Sequence, residues 1–118
     1  MMTLVDTSVW VDHLRQRSHR LTVLLMQDQV RCHPLIIGEL ACGNLANRRV
    51  IIDLLTALPV SLIAEHEEVL SFVETHRLFG QGLGWIDAHL LVSAILDRCR
   101  LLTYDIALKQ AAAAFDIG

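Results

Sequence analysis

Short apolar runs alternate with longer stretches of helical periodicity along this chain, and that alternation restricts its fold more than any other feature. The pattern predicts strands over residues 2–6, 30–33, 59–63 and 101–104. Between and after them it predicts helices over 8–15, 20–27, 35–45, 47–57, 65–79, 86–98 and 106–114, with apolar repeats such as Leu21, Leu24 and Leu25. Strands separated by helices point to a mostly parallel sheet covered on both faces, an α/β fold. Strands this short and this apolar fit that arrangement, because both of their faces are buried. At 118 residues, with no linker or repeat, the chain reads as a single domain over 1–118.

Thirteen acidic residues need placing. Glu65, Glu67 and Glu68 open a helix and complement its dipole. Asp12, Asp28, Asp53, Glu74, Asp97 and Asp116 fall at helix surfaces or turns. Four others do not fit a solvated face. Asp6 closes the first strand, and Asp105 closes the last one in LLTYD. Glu39 has Leu35, Ile36 and Leu40 as helical neighbours, and Asp87 opens the apolar helix WIDAHLLVSAIL.

In an open parallel sheet, sites form outside the carboxyl ends of the strands, and the helices that follow strands begin at the same edge. With Asp87 in the first turn of its helix and Glu39 early in the helix after the second strand, all four acids are thereby expected at one spot. Singly, Asp87 has an alternative use as a helix N-terminal charge and Asp105 as an N-cap. Together they carry a cost: two carboxylates about 4 Å apart repel by roughly 4 kcal/mol at an effective dielectric of 20. A domain is held by only about 5–15 kcal/mol. No Lys or Arg adjoins any of the four in the strand segments, so a divalent cation is the economical counter-charge. Hard oxygen ligands favour Mg²⁺ or Mn²⁺ over zinc. Thr7, Ser8 and Thr103 stand beside these acids, either to orient ligands and water or to serve as ordinary caps and turn bonds.

These residues carry a family resemblance. VDTSVWVDHLR at the start, IIGELACG around Glu39, GWIDAHLLVSAI around Asp87 and LLTYDIALKQAA around Asp105 resemble, in order and spacing, a PIN-domain ribonuclease of the VapC type. Such proteins are the toxin half of bacterial type II toxin–antitoxin pairs, and the likeness covers essentially the whole chain. The resemblance implies a three-layer α/β/α sandwich with a central parallel sheet. It implies Mg²⁺ or Mn²⁺ at the acids matching Asp6, Glu39, Asp87 and Asp105. It further implies an RNA substrate, often a tRNA, arrest of translation, a homodimer and a VapB-like antitoxin that blocks the site. The family usually adds a final short strand, where this chain has Phe115–Gly118. A PIN fold kept as a catalytically silent scaffold is the alternative.

Composition limits the rest. The net charge of −3 is not that of a general nucleic-acid binder. RNA contacts therefore fall to arginines at the rim of the site, with Arg15, Arg17, Arg48 and Arg49 as the candidates. A hydrophobic content of 53% motivates a covered surface, with Trp10, Val11 and Leu14 either walling a partner groove or packing in the core. Cys32, Cys42 and Cys99 are odd in number and lack CxxC spacing, which fits buried reduced thiols and a cytoplasmic protein. No apolar run approaches the roughly 20 residues of a membrane span.

Rival readings lose on single residues. A haloacid-dehalogenase-type phosphatase needs a second acid where Ser8 stands, and a receiver domain needs paired acids after the first strand. Gly80, Gly82 and Gly84 follow a helix rather than a strand, so they read as a helix stop and not a phosphate loop. His76 is expected to be packed, His89 to face away from Asp87, and no histidine pair has zinc spacing.

Overall fold

The computed structural model describes residues 1–118. The strand β1 (Thr3–Val5) leads into α1 (Thr7–Gln16) and α2 (His19–Met26). Next, β2 (Val30–Arg31) leads into α3 (Pro34–Ala41), α4 (Arg48–Ala57), α5 (His66–Thr75) and α6 (Trp85–Leu96). Last, β3 (Arg100–Leu102) leads into α7 (Ile106–Ala114). The strands are all parallel in the order β2-β1-β3, with Thr3 beside both Val30 and Arg100 and Val5 beside Leu102. This is the α/β arrangement expected.

The order of strands positions everything that follows. From β1 the chain steps one way to β2, then returns past β1 to β3. Right-handed crossovers in opposite directions put helices on both faces of the sheet. Beyond β3 the tail returns alongside, where Leu101 N–H donates to the Ile117 carbonyl at 2.7 Å. The connections therefore diverge at the carboxyl ends of β1 and β3, which is the switch point where α/β folds place ligands.

β1 is buried along its length, as a central strand covered on both faces must be. α6 is the core helix: Ala88 through Ala94 are all buried, so it has no polar stripe. The packing is aliphatic, built on Leu4, Val5, Ile36, Leu90, Leu91 and Leu108. No helix is long and apolar enough to cross a membrane.

Several expectations fail locally. Residues 59–63 form no strand: only one parallel bridge, Cys32 to Val60, joins this segment to the sheet. Cys32 N–H donates to the Pro59 carbonyl and Ser61 N–H to the Cys32 carbonyl, at 2.8 and 2.9 Å. Pro59 has no N–H to extend the ladder, and Val60, Leu62 and Ile63 remain exposed. α3 stops at Ala41 rather than residue 45, since Gly43, Asn44 and Asn47 favour a turn. α5 stops at Thr75 because Leu78 folds back, its N–H donating to the Val73 carbonyl. Cys42 is exposed rather than buried, while Cys32 and Cys99 are buried and all three are free. His76 is exposed at the end of α5, packed against Phe72 and edge-on to Phe115 with ring centroids 4.2 and 5.1 Å away.

Candidate active site

Asp6 is the residue at which β1 becomes α1, and it is 5% exposed. Its carboxylate does not cap α1. Instead Oδ2 accepts hydrogen bonds from Ser8 Oγ at 2.8 Å and from Thr103 Oγ1 at 2.7 Å. Thr103, just past β3, is buried and also accepts from Asp105 N–H at 3.0 Å. Ser8 Oγ accepts from Tyr104 N–H at 3.1 Å. Two hydroxyls thus join the ends of β1 and β3 around one carboxylate.

The other acids are held by local geometry. Asp105 caps α7, with Oδ2 accepting from Leu108 N–H at 2.9 Å. Asp87, in the first turn of α6, turns Oδ2 back to accept from Gly84 N–H at 3.1 Å. Glu39 lies in the second half of α3, not early in it, and is exposed rather than part of an apolar face. Its Oε1 accepts from Thr7 Oγ1 at 2.7 Å, which ties α3 to the start of α1.

One pattern unites the four. Each carboxylate has one oxygen engaged by chain donors and a second oxygen with no partner in the protein. No basic side chain offsets them: the ion pairs are Arg31–Asp97 and Arg49–Asp53, both elsewhere. The charges nonetheless feel one another. Burial pushes the Asp87 carboxyl above its usual range, the Gly84 N–H draws it back, and Asp105, Asp6 and Glu39 push it up further. No three of these side chains are already drawn together around a point that would hold an ion. The donor set, four carboxylates with free oxygens and no compensating cation, nonetheless has the chemistry of a site for a hard divalent ion.

The arginines separate. Arg15 lines a cleft of about 490 Å³ together with Thr7, Glu39, Asn44 and Asn47, so it shares a cleft with one of the four acids. Arg17 lines a different hollow with His13 and Thr22. It lies at the far end of α1, which at ten residues spans about 15 Å. Arg48 Nη1 reaches back to the Gly43 carbonyl at 3.4 Å, and Arg49 pairs with Asp53 at 3.7 Å on the surface. Asn44 and Asn47 enter the cleft from the turn between α3 and α4. Asn47 precedes α4 in a left-handed conformation and its side chain does not cap the helix. The turn-forming residues themselves were the only sign of this in the sequence.

Trp10 and Leu14 line an apolar hollow of about 270 Å³ with Leu25, Ile51, Leu54 and Leu58, while Val11 lies in the cleft beside Arg15. His89 is nearly buried and packs edge-on against Trp85, with ring centroids 4.8 Å apart.

Comparison with known proteins adds to this geometry. The family model described as PIN domain matches residues 3–114. Ribonuclease VapC32 of Mycobacterium tuberculosis is 50% identical over 113 residues, spanning 95% of this chain and 91% of the relative. The same figures hold for the protein of that name in both strain CDC 1551 / Oshkosh and strain H37Rv.

Proposed function

Because the chain belongs to the PIN-domain ribonucleases of the VapC family, we propose that it is a metal-dependent endoribonuclease, the toxin of a type II toxin–antitoxin pair, cleaving tRNA or rRNA to stop translation. The observation that carries the reading is the set of four free carboxylate oxygens at the switch point, uncompensated by any basic side chain.

Asp6, Asp87 and Asp105 would hold Mg²⁺ or Mn²⁺, and Glu39 would help position ion and water. A bound divalent ion supplies a water acidic enough to attack at neutral pH and a charge to offset the leaving oxygen. Mg²⁺ keeps several of its own waters, so the acids need not all touch it. Ser8 and Thr103 hold Asp6 by one oxygen and leave the other without a partner. Thr7 does the same for Glu39, and the caps of α6 and α7 do so for Asp87 and Asp105. Each acid is therefore presented as a ligand through one oxygen, its orientation fixed before an ion arrives. The phosphodiester is expected to break to a 5′-phosphate and a 3′-hydroxyl, with Arg15 gripping a neighbouring phosphate.

The apolar hollow of Trp10, Leu14, Leu54 and Leu58 fits an apolar helix of a VapB-like antitoxin. Residues 1–118 act as one domain, as a homodimer, and the free thiols fit a cytoplasmic setting. The test is incubation of purified protein with a mixed tRNA and rRNA pool, with Mg²⁺, with Mn²⁺ and with EDTA. Cutting with either ion and none in chelator supports the reading; no cutting with any metal favours the silent scaffold. Light scattering that shows only monomer at micromolar concentration would remove the dimer.

A further inference from the structure

A buried polar tie lies away from the carboxylates. His33 is 1% exposed and Ser93 is wholly buried. His33 precedes α3, and its Nδ1 accepts from Leu35 N–H at 3.0 Å, capping the helix. Its other nitrogen, Nε2, lies 3.3 Å from Ser93 Oγ in the middle of α6. Ser93 Oγ also accepts from Ala64 N–H at 3.3 Å. With Nδ1 committed as acceptor, the neutral ring carries its proton on Nε2 and donates to Ser93. Burial, aided by the nearby His89, lowers the His33 pKa to about 4, so the ring stays neutral at ordinary pH.

The placement along the two helices is what matters. Glu39 lies six residues after His33, and Asp87 lies six residues before Ser93. Glu39 lines a hollow with Ile86 and its charge acts on Asp87, so α3 and α6 also approach at that end and run in opposite senses between it and the buried tie. The main packing of α3 is against α4 and α1, and that of α6 is against α5, α7 and β3. The backbones of α3 and α6 therefore approach closely at few points, although Ile36 and Leu40 share the core with Leu90 and Leu91. A shift of one residue along a helix moves a side chain by about 1.5 Å, enough to spoil a metal ligand set.

We infer that His33 and Ser93 form a positioning pair, which fixes the register of α3 against α6 and so places Glu39 and Asp87 for one cation. This rests on the reading of the acids as a metal site. The pair touches neither substrate nor metal.

The test measures Mn²⁺ affinity of the whole protein by titration, with metal alone, and kcat and KM on RNA. Ser93→Ala removes the tie. His33→Asn keeps an acceptor for Leu35 N–H but is too short to reach Ser93, whereas His33→Gln keeps the reach. Melts in EDTA establish which variants fold. The expected result is Mn²⁺ binding weakened about three- to tenfold and kcat lowered about tenfold in Ser93→Ala and His33→Asn, with KM for RNA unchanged. The double variant should be no worse than the poorer single one, and His33→Gln should recover part of the loss. Folded variants that bind Mn²⁺ as tightly as the wild type would overturn the inference, as would additive losses. Failure of both single variants to fold would also overturn it, by showing a structural tie only. Wild-type protein that binds no Mn²⁺ would instead sink the reading of the acids.

Discussion

At the scale of single residues, Asp87 separates function from stability. Its charge is raised against burial and three like-charged neighbours, so it costs the metal-free fold free energy while providing a ligand. Asn in its place keeps an oxygen that can accept from Gly84 N–H, so the start of α6 survives. Asp87→Asn is expected to lower cleavage by at least a hundredfold. In EDTA it should melt at the same temperature as the wild type or a few degrees higher. A melt many degrees lower would show that the carboxylate holds structure. The hydroxyls beside the acids have the opposite balance: Thr103 is buried, donates to Asp6 and accepts from Asp105 N–H, so its removal would strand polar atoms at the end of two strands.

At the scale of elements, the N-terminus of α3 is bonded through a neutral imidazole, and this has a pH signature. The ordinary histidine value is 6.5 and that of His33 is about 4, so between those values the unfolded chain takes up a proton that the fold refuses. Stability from this group is complete above about pH 6.5 and is lost as the pH falls toward 4, by roughly 3 kcal/mol if the whole shift is expressed. Urea unfolding across that range should show the slope, and His33→Asn should flatten it. Nothing in the sequence marked this cap, because a histidine before a proline has no strand or helix period of its own. The helices, by contrast, were legible from their apolar repeats, as were the strands β1 and β3. The segment at residues 59–63 misled because its composition is strand-like while Pro59 and the sheet edge allow only one bridge. Asp6, Asp87 and Asp105 were legible from their places at strand ends and a helix start. Glu39 was expected in an apolar face, and its exposure and its bond to Thr7 depend on how α1 and α3 meet, a tertiary fact that local spacing does not contain.

At the scale of the whole molecule, a protein of net charge −3 is proposed to bind a polyanion, so attraction must be local. Arg15 in the cleft with Glu39 and Arg17 in a separate hollow make the contrast: Arg15→Ala should reduce the salt slope of RNA binding by about one, and Arg17→Ala should leave it unchanged. The acids set a second global property. Asp87 titrates above its ordinary 3.8, so in the metal-free fold its proton is bound more readily than in the unfolded chain. The charge therefore costs stability once the pH has risen past the folded value, and that cost is relieved as the pH falls. A divalent cation competes with this proton, so the stability it adds must grow with pH. Melting with and without Mn²⁺ should show a larger rise at about pH 7.5 than at about pH 4, near the ordinary carboxylate value, and Asp87→Asn should reduce the difference. A rise that is the same at both values, or that persists in full in Asp87→Asn, would mean that the ion binds away from these carboxylates.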